Sequence, residues 1–221
     1  MNFDTIETND NRSYSYEGFE NTVRDEYAKI IAFVDSGSKV IDLGCGNGVL
    51  LEQLIATKKI FGSGIEISEN AVSICKCKGL DVRHGSIDEP LPFRDNEFDY
   101  AICNVTVQMV MYPEILIKEM KRISKHQIIS FPNFGFWKNR VELLLHGTMP
   151  SKTLFGYSWY TTGHIHQFSI KDFYELIDFI GGVKIIECAY AETLDSLRLK
   201  VANVFPNLFH LLPIFLLKKT E

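Results

Sequence analysis

The sequence predicts an α/β fold in which helices cover both faces of a mostly parallel sheet. Two observations predict it. Short apolar, partly β-branched runs alternate with segments whose apolar residues recur at helical spacing, and a glycine-rich turn separates the first run from the first helix. With 221 residues, of which 46% are hydrophobic and 23% charged, the chain can bury one substantial core. We therefore expect a single domain over residues 1–221.

The glycine-rich turn lies in the segment 39–54, which reads KVIDLGCGNGVLLEQL. Its apolar strand run is broken by Gly44, Gly46 and Gly48, and helical spacing resumes at Val49. Glycines let the backbone turn sharply and approach a ligand, and the helix that follows directs unpaired N–H groups into the same space. A strand, a tight loop and a helix are expected here, with room for a small anionic group.

The spacing of the glycines separates two cofactor classes. A dinucleotide loop needs G-x-G-x-x-G/A, whereas Gly44, Gly46 and Gly48 form G-x-G-x-G, so NAD is disfavoured. The run from Asp42 to Gly48 resembles the first motif of class I S-adenosylmethionine (AdoMet) methyltransferases. A second strand, residues 61–67, carries Glu66 about 20 residues beyond the loop, where a carboxylate accepts hydrogen bonds from ribose hydroxyls. The expected contacts of AdoMet, and of its product S-adenosylhomocysteine, in this half are Asp42, Gly44, Cys45, Gly46, Gly48, Glu66 and Ile67.

The N-terminal residues 1–35 are expected to form a cap segment. A helix is predicted from about Phe19 to Val34, and Tyr14 and Tyr16 before it are candidate substrate contacts. For residues 1–13 a frayed terminus is an equal alternative to a cover over the cofactor. No basic stretch followed by an apolar run begins the sequence, so a cytoplasmic protein is expected.

A third strand, residues 80–84, follows a helix that Ser68 is placed to cap. The next residues resemble the adenine-contacting loop of methyltransferases, where an acidic side chain usually follows the glycine. Here Ser86 follows Gly85, so either Asp88 reaches back or Ser86 and the Ile87 backbone contact the adenine. Both alternatives stay open at this stage.

A fourth strand, residues 98–103, ends at Asn104 before a helix that begins at Pro113 and runs to about residue 124. Strand end and helix start face the predicted cleft, so Asn104 is a candidate cofactor and catalytic residue and Gln108 a candidate substrate contact; the alternative is that both cap the loop. The Asn/Asp-Pro-Pro-aromatic tetrapeptide of amino methyltransferases is absent after Cys103, which disfavours methylation of a base amino group.

After a fifth strand, residues 127–131, an insertion of 38 residues (132–169) precedes the helix 170–180. It is rich in aromatic residues and histidine, holds a short predicted helix at 137–145, and is expected to cover the acceptor side. Because histidine titrates near neutrality, His166 or His164 is a candidate general base. The remaining candidates are Tyr160 for catalysis, and Asn133 and Trp159 for substrate binding. No third ligand accompanies the two histidines, so we expect no metal.

The chain closes with a strand at 183–189, a helix at 194–203 and a last strand near 211–217. The apolar run 204–217 is too short to span a bilayer and is interpreted as a core strand. A formal net charge of −5 gives no basic footprint for nucleic acid. Five cysteines, an odd number without framework-like spacing, are expected to be reduced, and a monomer or dimer is expected.

Taken whole, the chain resembles the MetW family of methionine-biosynthesis proteins, a branch of the class I methyltransferases. Beyond the glycine loop, the resemblance lies in SFPNFGFW (130–137), LLLHGTMP (143–150), WYTT (159–162) with Ile165-His166, and FPNLF (205–209). It implies a Rossmann-like sheet of seven strands in the order 3-2-1-4-5-7-6 with the last strand antiparallel, and association with homoserine O-acyltransferase. The sequence departs from the family at Ser86, where an aspartate is expected, and at Gly163-His164, where the family tends to have Pro-Asn.

Two functions remain open. The first is methyl transfer from AdoMet to oxygen or nitrogen of a small acceptor, such as a metabolite or a precursor of a surface polysaccharide. The second is a MetW-like AdoMet-binding partner of homoserine O-acyltransferase with little or no methyl transfer. Methyl transfer requires mainly in-line placement of the acceptor, so no obligatory catalytic side chain distinguishes the two in the sequence.

Overall fold

The computed structural model describes residues 22–150, 159, 162–191 and 196–220. Three of the predicted site residues, Tyr14, Tyr16 and Tyr160, lie outside the described residues. Within the described ranges, no helix is both long and apolar enough to cross a membrane.

Strands and helices alternate along the chain. The strands are β1 (Lys39–Leu43), β2 (Phe61–Glu66), β3 (Asp81–His84), β4 (Phe98–Asn104), β5 (Ser124–Ser130), β6 (Val183–Tyr190) and β7 (Pro213–Lys219). The helices are α1 (Tyr27–Phe33), α2 (Val49–Lys58), α3 (Glu69–Cys77), α4 (Pro113–Ile123), α5 (Trp137–His146), α6 (Ile170–Ile180), α7 (Ser196–Val204) and α8 (Pro206–Phe209).

The seven strands form one sheet in the order β3-β2-β1-β4-β5-β7-β6. Strands β1 to β5 pair in parallel, and β7 pairs antiparallel with both β5 and β6. This confirms the predicted fold class and strand order. The chain leaves β1 toward β2 on one side and later enters β4 on the other, so the switch point that binds ligands in such sheets lies at the carboxyl ends of β1 and β4.

The core consists of two apolar layers, one on each face of the sheet. Side chains alternate across a strand, so neighbouring residues of β1 pack in different layers. Ile41 lies in one layer and Val40 in the other. The first layer also holds Phe131 and Phe173, and the second holds Leu51. Full burial of each such side chain stabilises the fold by about 1.5–3 kcal/mol. The layers hold the carboxyl edge of the sheet rigid under the site.

The start of one helix and the start of one strand differ from the prediction. Helix α1 begins at Tyr27 rather than near residue 19, and residues 22–26 form no helix. Val23 is exposed, while Glu26 is buried. At the other boundary, β5 begins at Ser124 immediately after α4, because the Ser124 hydroxyl contacts the carbonyl oxygens of Met120 and His126 and closes the helix within one residue.

The apolar run 204–217 is not a single core strand, as the sequence had suggested. It forms the end of α7, the short helix α8 and the first part of β7. Pro206 opens α8 and Pro213 opens β7, and proline fits the first turn of a helix or the first residue of a strand but breaks a continuous ladder. Only β7 contributes to the sheet.

Candidate functional site

The glycine loop joins β1 to α2 through three residues in the left-handed region. The φ angles are +80° at Gly44, +55° at Gly46 and +76° at Gly48, conformations that other residues rarely adopt. A Cβ added at Gly44 would lie 2.6 Å from Cγ2 of Thr106, so glycine is also needed there for space. The loop therefore turns sharply and lies directly against the segment after β4.

The segment after β4 is itself strained. Val105, a β-branched residue, has φ of +59°, and its backbone N–H donates to the carbonyl oxygen (3.0 Å) and the hydroxyl oxygen (3.1 Å) of Ser130 at the end of β5. Residues held in such conformations often cluster at functional sites. Here the strain occurs where the loops after β1 and β4 meet, which is the switch point of the sheet.

Glu66 ends β2 as predicted, and both of its carboxylate oxygens are already hydrogen-bonded. Oε2 accepts from the backbone N–H of Gly46 at 2.8 Å, and Oε1 accepts from the backbone N–H of Ser68 at 2.9 Å. Each carboxylate oxygen can accept a further hydrogen bond. Glu66 can thus hold the glycine loop in shape and still receive hydroxyl donors from a ribose.

Asp42 lies at the carboxyl end of β1, and its carboxyl group is buried. It is 2% exposed, and its Oδ1 has no hydrogen-bond partner among the described residues. Burial, and secondarily the negative charge of Glu66, raises the pKa of Asp42 from 3.8 to about 7. A cationic group beside Oδ1 would stabilise the ionised carboxylate and lower its pKa, opposing both burial and the charge of Glu66. The α-ammonium of AdoMet is such a group, so the residues present fit this cofactor.

On the adenine side the structure shows which groups the Asp88 carboxylate contacts. The carboxylate of Asp88 accepts from the backbone N–H of Met111 (2.7 Å) and Tyr112 (3.3 Å), so it holds the start of α4 rather than reaching back. The Ser86 hydroxyl accepts from the backbone N–H of Asp88 at 3.1 Å, and Ile87 is buried. The Ser86 hydroxyl and the Ile87 backbone stay as the predicted contacts, with Ile67 exposed beyond Glu66.

The segment before α1 brings residues to the site that the sequence did not indicate. Glu26 is 3% exposed, and its Oε1 accepts from Nδ2 of Asn104 at 3.2 Å and from Nε of Arg24 at 3.0 Å. Burial raises the pKa of Tyr27 to about 12, and the negative charges of Asp42 and Glu26 act in the same direction. A lone glutamate in a polar terminal segment normally indicates surface, so only the start of the family resemblance at Arg24 could have pointed here.

Asn104 lies at the end of β4 as predicted, but both ends of its amide are occupied. Oδ1 accepts from the Ser130 hydroxyl, and Nδ2 donates to Glu26. Its side chain is therefore a bridge that positions Glu26.

Gln108 and Asn133 were expected to contact substrate, and the structure places neither side chain at a surface. Gln108 is fully buried, and its Nε2 donates to the carbonyl oxygens of Pro132 and Phe168. Asn133, also fully buried, donates to the carbonyl oxygens of Asn207 and His210. The Asn133 amide therefore joins the start of the insertion to the tail of the chain.

The two histidines lie on the returning arm of the insertion, along the loop after β4. His166 donates its backbone N–H to the carbonyl oxygen of Gln108 at 3.0 Å, and its Nε2 lies 3.1 Å from the carbonyl oxygen of Met111. Because a carbonyl only accepts, Nε2 carries the proton and Nδ1 is the basic nitrogen. His164 is buried, with its Nδ1 2.7 Å from the Thr162 hydroxyl. His166 is thus the better-placed base.

The aromatic side chains of the insertion divide between core and surface. Phe168 packs on Phe131 with ring centroids 4.6 Å apart and belongs to the core layer. Trp137 and Trp159 are exposed. Among the residues that the structure describes, no group of three or more His, Cys, Asp or Glu side chains could hold a metal ion.

Comparisons with known proteins agree with this geometry. The family model for methionine biosynthesis protein MetW matches residues 24–217. The bifunctional methionine biosynthesis protein MetXA/MetW of Rhodopirellula baltica is 32% identical over 166 residues, which are 71% of this chain but 27% of that protein. The demethylmenaquinone methyltransferase of Staphylococcus aureus is 29% identical over 192 residues, 72% of this chain and 78% of that enzyme.

Solved structures with the same fold differ in activity. A chain in the complex between the Trm112 methyltransferase activator of Haloferax volcanii and a methyltransferase has a TM-score of 0.67 at 18% identity, with 93% of each chain covered. The [4+2]-cyclase SpnF has a TM-score of 0.62 at 16% identity, covering 89% of this chain and 81% of the cyclase. At these identities the likeness extends to the fold alone, and the chemistry must be argued from the site.

Proposed function

Because the chain belongs to the family of the methionine biosynthesis protein MetW and has the fold of class I methyltransferases, we propose that it binds AdoMet and transfers the methyl group to a small-molecule acceptor. The observation that carries the proposal is the buried, unpartnered Oδ1 of Asp42 beside the glycine loop. A buried carboxylate without a partner is costly, and a cationic ligand at the end of β1 removes that cost.

The other residues of the cleft support the same ligand. Gly44, Gly46 and Gly48 keep side chains out of the space over β1, and Glu66 offers carboxylate oxygens at the end of β2. Ser86 and Ile87 lie at the next strand end, where the adenine of the cofactor is expected. The ammonium, the ribose and the adenine of AdoMet thus each have a candidate contact along one edge of the sheet.

The chemistry proposed for the cleft requires little from the protein beyond placement. When bound, AdoMet supplies an electrophilic methyl group on a positively charged sulfur. The chain must orient the acceptor in line with that methyl and keep water out. If the acceptor is protonated, Nδ1 of His166 is the candidate base, and Trp159, Tyr14, Tyr16 and Tyr160 are candidate contacts of the acceptor.

Methyl transfer is tested by incubating the protein with methyl-labelled AdoMet and a fractionated metabolite extract. We expect label in a small extract component, and loss of that label with Asp42→Asn, which removes the charge without changing the size of the side chain. The exposed Asp81→Asn at the start of β3 is the matched control and should leave incorporation unchanged. If no fraction gains label although the protein binds AdoMet, methyl transfer is wrong.

A second candidate function, a partner of homoserine O-acyltransferase, is favoured by the surface of α5. Most of its side chains are exposed, among them three consecutive leucines, of which Leu144 is 81% and Leu145 70% exposed. Asn139 anchors the helix by donating to the carbonyl oxygens of Asn133 and Phe134. Several exposed apolar side chains on one helix are typical of a protein interface.

The Rhodopirellula relative gives this surface a proposed partner. In its name a MetXA part and a MetW part share one protein, of which the present chain matches 27%. Joining two parts in one chain raises their effective concentration and favours contact between them. We infer that a separate acyltransferase of that class docks on α5 of this chain, with or without turnover of AdoMet.

A further inference from the structure

We propose that Glu26 makes the cleft distinguish AdoMet from S-adenosylhomocysteine by the charge on sulfur, so that the demethylated product is bound more weakly. The inference rests on the proposed function, because it assumes that AdoMet occupies this cleft. It concerns a residue for which sequence reasoning gave no role. A chain of hydrogen bonds ends on the Glu26 carboxylate and fixes its position.

The chain of hydrogen bonds begins at the strained turn after β4. The backbone N–H of Val105 donates to the Ser130 hydroxyl at 3.1 Å, so that hydroxyl must direct its own proton elsewhere. It donates to Oδ1 of Asn104, which fixes which end of the amide is oxygen. The NH₂ end of Asn104 then faces Glu26 and donates to Oε1 at 3.2 Å.

Among the residues that the structure describes, Arg24 is paired with the Glu26 carboxylate. Arg24 donates to Oε1 of Glu26 at 3.0 Å, but it is about one-third exposed, so water weakens the pair. Asn104 also contacts the Glu26 carboxylate, and the phenol of Tyr27 is acted on by the charges of Arg24, Asp42 and Glu26. Oε2 of Glu26 makes no hydrogen bond within the described part of the chain.

Three carboxyl groups therefore lie in the cleft before any ligand binds. Glu26, Asp42 and Glu66 are all buried, and Oδ1 of Asp42 has no partner within the described ranges. Backbone N–H groups satisfy Glu66, whereas Glu26 and Asp42 keep free oxygens at the ends of β4 and β1. AdoMet carries two positive groups, the ammonium and the sulfonium, and its demethylated product keeps only the ammonium. Two carboxylates with free oxygens therefore suit the two positive charges of AdoMet better than the single positive charge of S-adenosylhomocysteine.

AdoMet and S-adenosylhomocysteine share the nucleoside, the ammonium and the carboxylate. The ratio of the AdoMet affinity to the S-adenosylhomocysteine affinity therefore reports the effect of the charge on sulfur. We expect calorimetry on the full chain to show tighter binding of AdoMet than of S-adenosylhomocysteine. Glu26→Gln, which keeps the size and hydrogen-bonding shape, should lower this ratio about tenfold, mainly through AdoMet. Glu187→Gln, an exposed change on β6, removes the same charge far from the cleft and should leave the ratio unchanged within about twofold.

A second variant should change the affinity ratio in the opposite direction. Arg24→Gln removes the cation that opposes Glu26, so the ratio should rise about threefold. Its partial exposure makes it a safe change if Glu26→Gln fails to fold, which thermal unfolding of the ligand-free variants reports. Binding of both ligands with a ratio that neither variant changes overturns this inference alone. No binding of either ligand to the unaltered protein overturns the proposed function as well.

Discussion

The carboxylate of Glu66 lies 2.8 Å from the backbone nitrogen of Gly46, so the acidic end of β2 is tied to the glycine loop after β1. One side chain thereby performs two tasks. It fixes the loop in the left-handed conformation that the glycines permit, and it presents oxygens at the edge of the cleft. The loop is held in shape before a ligand arrives, which reduces the entropic cost of binding.

Gly44 is required for space as well as for conformation, and a matched pair of variants separates the two requirements. Gly44→Ala places a Cβ 2.6 Å from Thr106, whereas Gly79, with φ of +74°, has nothing within 4 Å of an added Cβ. Both changes should lower the free energy of unfolding by about 1–2 kcal/mol through the left-handed strain. Only Gly44→Ala should also weaken AdoMet binding, by about tenfold or more, because the loops after β1 and β4 must separate. Equal affinities in the two variants would refute the close contact.

Asp42 should make the folded protein less stable as pH rises toward neutrality. Its pKa is raised from 3.8 to about 7 in the folded protein, so the folded state binds the proton more tightly than the unfolded state. The contribution of Asp42 to stability is complete below 3.8 and is lost as pH rises through about 7. Urea unfolding of Asp42→Asn should therefore show a shallower fall in the free energy of unfolding over this range than the unaltered protein shows.

The same residue makes AdoMet binding strengthen as pH rises. An ammonium group favours ionised Asp42, so affinity should increase as pH rises toward about 7, and binding below that pH should release a proton. Asp42→Asn should weaken binding and remove the proton release. Calorimetry in two buffers with different heats of ionisation measures that release. A proton count of zero for the unaltered protein would contradict the assignment of Asp42.

Asn133 should prove structural rather than catalytic. Its amide donates to Asn207 and His210, and its Oδ1 accepts from the backbone N–H groups of Gly135 and Ile170. Asn133→Ala leaves these buried groups unpaired and should cost about 3 kcal/mol or more, measured by urea unfolding. Ser73→Ala, the control, removes an exposed hydrogen bond to Glu69 and should cost less than about 0.5 kcal/mol. Equal costs would mean that this junction does not hold the insertion.

The proposed partner surface is tested by a charge placed on α5. Leu144→Asp should weaken a complex with purified homoserine O-acyltransferase by at least about tenfold in analytical ultracentrifugation, because a charge would be buried in an apolar contact. Phe179→Asp, an equally exposed change on α6, is the control and should leave the complex intact. A complex that Leu144→Asp leaves unchanged places the interface elsewhere, and the absence of any complex contradicts the partner function.

The fold and the cofactor edge were predictable because they depend on local patterns. Glycines at 44, 46 and 48 after a β-branched run, and an acidic residue at the next strand end, define a strand, loop and helix without knowledge of distant contacts. Strand β5 shows the limit of this approach. Its start at Ser124 depends on one hydroxyl that ends α4, and apolar periodicity does not report such a contact.

The acceptor side was predicted less well because its contacts join residues far apart in sequence. Asn133 has the polarity of a ligand contact, yet its partners are 74 and 77 residues away in the tail and bury it completely. Glu26 has the composition of a solvated terminus, but Asn104, 78 residues later, draws it into the cleft. Burial of a polar side chain follows from tertiary packing, which the local sequence does not contain.

Titration of the protein with AdoMet in a calorimeter, for the unaltered chain and for Glu66→Ala, tests the central claim most directly. The account predicts saturable binding at one site per chain. Affinity should fall on the order of 10- to 100-fold in the variant, because charge-assisted hydrogen bonds worth roughly 1.5–3 kcal/mol are lost. No heat of binding with the unaltered protein, or the same affinity for both, would contradict an AdoMet site at the carboxyl edge of the sheet.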